Sequence, residues 1–189
     1  LLKKEGRYRY FTEVERVSGH HPRAMWNSST GKKEVTVWCS NDYLGMGQNA
    51  IVQKKFSDVA LSQGTGAGGT RNISGTTDKV VDLERELASL HGKTDALVFT
   101  SGYVANISSI STLATLFPDC KIFSDSLNHS SIINGIRQSG ADKVIFRHND
   151  LKHLEQLLER EPLSRPKFIV FESVYSMEGD TSPVREIAE

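Results

Sequence analysis

From Thr77 onward, short apolar runs alternate with helical stretches, and this repeat restricts the available folds more than any other feature. The strand-like runs are Ala96–Phe99, Ile122–Asp125, Val144–Arg147 and Phe168–Glu172. Helical patterns over Val104–Leu116, Ser131–Ser139 and Leu151–Glu159 separate them, with Asp150 as a cap for the last. A further helix precedes the first run: Thr77 caps it, Val80, Leu83, Leu87 and Leu90 form its stripe, and Gly92 ends it. Strands alternating with helices of about 10 to 15 residues predict a mostly parallel sheet covered on both faces, a three-layer α/β fold. Ligands of such sheets bind beyond the carboxyl ends of the strands. Those ends carry Thr100 to Tyr103, Ser126 to His129, His148-Asn149 and Ser173 to Asp180, which makes them one candidate rim.

The first part of the chain follows a different pattern. Tyr10, Phe11, Val14 and Val17 recur at helical spacing and predict a helix closed by Gly19. Val35, Val37 and Cys39 alternate with Thr36, Trp38 and Ser40, the period of a strand, which Asn41 to Gly45 stops. Asn49 is placed to cap a helix through Ile51, Val52, Phe56, Val59 and Ala60. A glycine-rich stretch, Gly64 to Thr70, follows. At the other end, Pro183 suits a first helical turn and Val184, Ile187 and Ala188 begin its apolar face, but the chain stops at Glu189. A helix start that covers nothing is poorly stable, so more polypeptide is expected after it.

Charge and composition exclude several functions. The 23 Lys and Arg balance the 23 Asp and Glu, leaving no net field that would favour nucleic acid or a membrane surface. No apolar run reaches the roughly 20 residues needed to span a bilayer. The opening Leu1 to Gly6 has neither a signal core nor a cleavage pattern, so secretion is not expected. Cys39 and Cys120 form neither a metal spacing nor a disulfide framework.

Two rim segments have residues suited to chemistry. Ser101-Gly102-Tyr103 lies between a strand and a helix, where a phosphate would find backbone N–H groups, a hydroxyl and the positive end of the helix dipole. The same residues also fit an ordinary helix cap, and local sequence leaves both readings open. The chain has no Walker A pattern and no G-x-G-x-x-G after this strand. His129 could stack on a planar ring or exchange a proton, or serve only as a hydrogen-bonded loop residue. His148, flanked by Arg147, Asn149 and Asp150, reads as a hydrogen bonder at a helix start. The absence of G-x-S-x-G leaves a serine hydrolase supported by residue inventory alone.

Several segments in order resemble the α-oxoamine synthase family. They are Glu5 to Arg9 (EGRYR), Val35 to Gly47 (VTVWCSNDYLGMG), Gly66 to Thr76 (GAGGTRNISGT) and Leu87 to Gly92 (LASLHG). They continue through Phe99 to Asn106 (FTSGYVAN), Ser124 to Ser130 (SDSLNHS), Ile145 to Asp150 (IFRHND) and Phe171 to Asp180 (FESVYSMEGD). Together they span the chain from Glu5 to Glu189, and VTVWCSNDYLGMG and GTRNISGT point to the branch that condenses glycine with succinyl-CoA. The resemblance implies a fold-type I, aminotransferase-like large domain, incomplete at its C-terminus, in a homodimer with shared active sites. Residues 1–48 would be an N-terminal segment and 49–189 the front part of the domain that binds pyridoxal 5'-phosphate. The implied reaction releases CoA and carbon dioxide and opens tetrapyrrole synthesis.

The resemblance also implies residue roles. Ser101, Gly102 and Tyr103 would hold the cofactor phosphate, and His129 would lie against its ring. Glu172 and Ser176 would lie at the cofactor, with Ser176 facing substrate and counted with His129 and Asn41 among the catalytic residues. Arg9, Asn41, Thr70 and Asn72 would meet the acyl-CoA, with Arg9 and Asn72 at the succinyl carboxylate. A guanidinium fork matches such a carboxylate independently of any family; the alternative for Arg9 is a surface ion pair. The family's Schiff-base lysine and ring-nitrogen aspartate are expected after Glu189, so this chain alone is expected to be inactive. A sister synthase using another amino acid or acyl-CoA, or a catalytically silent partner, remains an alternative. The family is mitochondrial in many eukaryotes and cytoplasmic in bacteria.

Overall fold

A computed structural model describes all 189 residues. They form two compact units, Leu1–Thr76 and Thr77–Glu189. This is a division by packing, and the boundary at residue 48 stays an expectation from the sequence.

The second unit has the expected layered plan. Strands β4 (Lys121–Asp125), β5 (Asp142–Phe146) and β6 (Lys167–Val170) form a parallel sheet in the order β5-β4-β6. Neighbouring residues of β4 point to opposite faces, as the pleat requires. Ile122 packs with Ala114 of α3 (Gly102–Leu116) and with Ile132 and Ile136 of α4 (Ser130–Ser139). Phe123 packs on the other face with Phe146, with Leu154 and Leu157 of α5 (Leu151–Leu158), and with Ile187 of α6 (Val184–Ala188). Each large apolar side chain buried here contributes about 1.5–3 kcal/mol. The central strand is therefore covered on both faces.

The tightest helix contact lies between α3 and α4. A Cβ on Gly135 would come within 3.1 Å of the Asn106 carbonyl oxygen and of Ile110 Cβ, and 3.2 Å from Ile107 Cα. Two of these atoms are backbone and cannot swing aside. Gly135→Ala is expected to destabilise the fold by about 1–3 kcal/mol through overpacking. It should lower the urea midpoint without changing the denaturant slope. An unchanged midpoint would mean the two helices slide apart freely.

The first unit departs from the expectations at its start. The segment Tyr10–Val17 is not helical; Val14–Arg16 is strand β1, paired antiparallel with β2 (Arg23–Ser28), which pairs in turn with β3 (Gly31–Thr36). The helical stripe loses to the ladder because its backbone finds partners in β2 and Glu15 bonds across the sheet to Lys32. The strand expected over Val35–Ser40 ends at Thr36: the Val37 amide still donates to the Pro22 carbonyl at 2.9 Å, but Pro22 has no N–H to return the bond. In α1 (Ala50–Gln63), Asn49 caps as expected, its side chain accepting from the amides of Ile51 and Val52. Thr77 stands at the N-cap position of α2 (Asp78–Leu90) without a side-chain capping bond. Pro183 precedes α6 as its N-cap rather than lying in its first turn.

One strand expected in the second unit is also absent. Ala96–Phe99 is not part of a strand, and the Val98 amide donates to Glu84 of α2 at 2.8 Å.

Candidate functional site

The rim at the carboxyl ends of β4, β5 and β6 is assembled from residues that the chain brings from far apart. Ser101 ends an extended segment and caps α3, its hydroxyl oxygen accepting from the Val104 amide at 3.2 Å. Its carbonyl accepts from Ala105, the first bond of the helix. The amides of Gly102 and Tyr103 thus stand ahead of the helical ladder. A Cβ on Gly102 would meet nothing within 4 Å, so no other group crowds this residue. Free N–H donors and a positive dipole end at an uncrowded glycine suit an anionic group such as a phosphate.

His129 caps the adjacent helix. Its Nδ1 accepts from the Ser131 amide at 3.2 Å and lies 2.7 Å from the Ser131 hydroxyl, which itself accepts from Asn106 Nδ2 at 3.0 Å. With Nδ1 accepting, the ring proton belongs on Nε2. The His129 amide donates to Glu172 Oε1 at 2.6 Å, tying α4 to the segment after β6. Its ring meets Tyr103 edge to face, with centroids 6.2 Å apart, and Asn134 donates to the Tyr103 hydroxyl. Ser101, Tyr103, His129 and Glu172 therefore share one neighbourhood. The support from Asn106 and Ser131 was missed in the sequence, where each reads only as a polar residue inside a helix.

Ser176 sits on an exposed hairpin between Ser173 and Ser182. Its frame is the Val174–Thr181 bridge, with Tyr175 donating to Asp180 O, Gly179 to Tyr175 O and Ser182 to Ser173 O. Tyr175 is buried beneath it, its hydroxyl accepting from the Glu172 amide at 3.2 Å. His148 also meets this hairpin, which corrects its reading as a helix-start hydrogen bonder. The start of α5 is capped by Asp150, while His148 reaches Asp125 and Asp180 instead. These partners are distant in sequence, and a buried acid at a strand end was the only local signal.

The acyl-side candidates all belong to the first unit. Arg9 lies in the irregular, exposed segment before β1, and Asn41 is exposed after β3. Thr70 and Asn72 share a tight turn in which the Thr70 carbonyl accepts from Ile73, Ser74 and Gly75. Only glycine fits at position 75, since a Cβ would stand 2.2 Å from the Gly69 carbonyl oxygen. Sequence GTRNISG thus builds a turn that presents Asn72.

The aminotransferase class I and II family matches residues 33–189. A 5-aminolevulinate synthase of Bradyrhizobium diazoefficiens is 55% identical over 188 residues, covering 100% of this chain and 46% of that protein. The 5-aminolevulinate synthase 2 of Cereibacter sphaeroides is 53% identical over 189 residues, again with 46% of its length covered. The chain spans about half the length of these curated relatives. Among solved structures, a serine palmitoyltransferase from S. paucimobilis with bound PLP-myriocin aldimine superposes with a TM-score of 0.87 at 32% identity, over 98% of this chain and 45% of that one. An 8-amino-7-oxononanoate synthase from Francisella tularensis gives 0.64 at 26% identity, over 80% of this chain and 41% of that one.

Proposed function

The chain belongs to the aminotransferase class I and II family, and from that premise we propose that it supplies the front half of a pyridoxal-phosphate enzyme condensing glycine with succinyl-CoA to 5-aminolevulinate, CoA and carbon dioxide. The observation that carries this is the likeness to 5-aminolevulinate synthases along the whole chain, well above its likeness to the serine palmitoyltransferase. The residues present fit the cofactor. The free amides of Gly102 and Tyr103 suit its phosphate, no group crowds Gly102, and Ser101 orders that helix end. Bound there, pyridoxal phosphate supplies an electron sink for the carbanion formed at glycine Cα.

Each residue then has a physical task. His129, with its proton on Nε2, presents a flat neutral ring to the cofactor's ring. Glu172 fixes the backbone of His129, so losing its carboxylate would misplace that ring. Ser176 offers a hydroxyl at the substrate face. Arg9 and Asn72 give charged and neutral donors for the succinyl carboxylate, and Asn41 and Thr70 line the acyl-CoA side of a site shared between two copies in a homodimer. The Schiff-base amine and the ring-nitrogen aspartate are assigned, by the family resemblance, to the part of the relatives that this chain does not cover. The relatives named above are bacterial, which favours the bacterial cytoplasm as the compartment; no helix is long and apolar enough to cross a membrane.

The test is a substrate comparison on the native polypeptide with pyridoxal phosphate. CoA release is expected from succinyl-CoA only when glycine is present. Serine with palmitoyl-CoA should give little. The opposite preference would assign the chain to a sister synthase.

A further inference from the structure

His148 stands where three segments meet. Its Nδ1 lies 2.9 Å from Asp125 Oδ1, at the end of β4, and its Nε2 lies 2.9 Å from Asp180 Oδ2, on the Ser176 hairpin. Asp125 is 2% exposed, and its carboxylate also accepts from the amides of Leu127 and Asn149. Tyr175, 1% exposed, meets the imidazole edge to face, with ring centroids 4.5 Å apart. Ionised carboxylates only accept hydrogen bonds, so a ring facing one at each nitrogen needs both N–H groups. Only the imidazolium has both. Asn149 Nδ2 lies near the same nitrogen at 3.2 Å but has Asp180 Oδ2 at an equal distance, so it does not need the ring as its acceptor.

We propose that His148, as an imidazolium clasped between Asp125 and Asp180, is the positioning residue that pins the Ser173–Ser182 hairpin, and with it Ser176, to the strand ends. What Ser176 does there rests on the functional reading above; the clasp itself does not. The clasp also extends to His129: Tyr175, packed on His148, receives the Glu172 amide, and the Glu172 carboxylate holds the backbone of His129. No cation competes for the two acids, since Arg147, next to His148 in the chain, pairs with Asp150. Ser182 adds a neutral strut to Asn149 at 2.8 Å.

The clasp carries a pH dependence of definite sign. The hydrogen bond to Asp125 raises the His148 pKa first, partial burial opposes it, and the bond to Asp180 raises it further. The contribution is therefore complete below the ordinary imidazole value of about 6.5 and is lost as pH rises through the higher folded value.

Hydrogen exchange of the Tyr175, Gly179 and Ser182 amides in the native polypeptide tests this. Once corrected for intrinsic base catalysis, their protection is expected to fall about ten- to a hundredfold across the His148 titration, the worth of a charge-assisted hydrogen bond. Asp180→Asn should move the step to lower pH, and His148→Gln should abolish it. A native protein with no step, or a step that survives His148→Gln, would overturn the proposal; the native titration decides even where a variant unfolds. A step in a protein that turns over neither glycine nor serine would uphold the clasp and reject the functional reading.

Discussion

Given pyridoxal phosphate, glycine and succinyl-CoA, the 189-residue chain alone should form no 5-aminolevulinate above the rate with free cofactor. The reaction assigned to the site needs an amine at the cofactor, and the lysines of the parallel sheet lie at its wrong end. Lys121 and Lys167 begin β4 and β6, and Lys143 is the second residue of β5, whereas His129 and the Tyr103 ring beside it lie past the carboxyl ends. Crossing β4 from Lys121 to Asp125 spans about 13 Å at about 3.3 Å per residue. Lys121 is also committed to Glu161 and Asp142, and Lys167 to the carbonyls of Pro162 and Arg165. Glycine-dependent CoA release is the measurement. Saturable turnover by the isolated chain would show that one of its own amines serves the site. Slow imine formation with exposed lysines would not, because it neither saturates with succinyl-CoA nor releases CoA.

What the sequence revealed follows the range of the interactions concerned. Caps at Asn49, Ser101 and Asp150 were legible because each side chain bonds an amide two or three residues away. The parallel strands were legible because a strand buried on both faces needs a continuous apolar run. The strand β1 was not: three residues with charged neighbours carry no strand period, and its existence depends on β2, whose Trp26 pairs with Val14. Ala96–Phe99 erred the other way, since an apolar run lacks a ladder until a neighbouring edge offers one. In the site, Ser101 and His129 were legible as residues at helix starts, and both cap their helices. The partners that orient them were not. Glu172 holds His129 across 43 residues, and His148 binds acids 23 and 32 residues away. Such contacts are set by the order of strands in the sheet, which no local window contains.

On the proposed function, Arg9→Leu made in the native polypeptide is expected to impair use of succinyl-CoA selectively while leaving glycine binding intact. The physical case begins with its neighbours. Arg7 is ion-paired to Glu5, but Arg9 makes no ion pair within the chain. It lies between Tyr8 and Tyr10, whose rings contact each other with centroids 4.9 Å apart. The segment is irregular rather than helical, so the alternative of an ion pair along an N-terminal helix loses its helix. An uncommitted guanidinium matches a carboxylate in geometry and charge, and Asn72 would add a neutral donor. Truncating one partner of a desolvated, charge-assisted pair costs about 2–5 kcal/mol, or about 30- to several-thousand-fold in kcat/KM. Part of that loss reflects a succinyl carboxylate left without a partner. Butyryl-CoA, of similar length but uncharged at its end, never used the guanidinium and should lose far less. The ratio of kcat/KM for the two thioesters, in parent and variant, is therefore the decisive number. A fall in that ratio supports Arg9 as the reader of the carboxylate. Equal losses for both would assign Arg9 to general ordering of the N-terminal segment and leave the acyl preference to other residues.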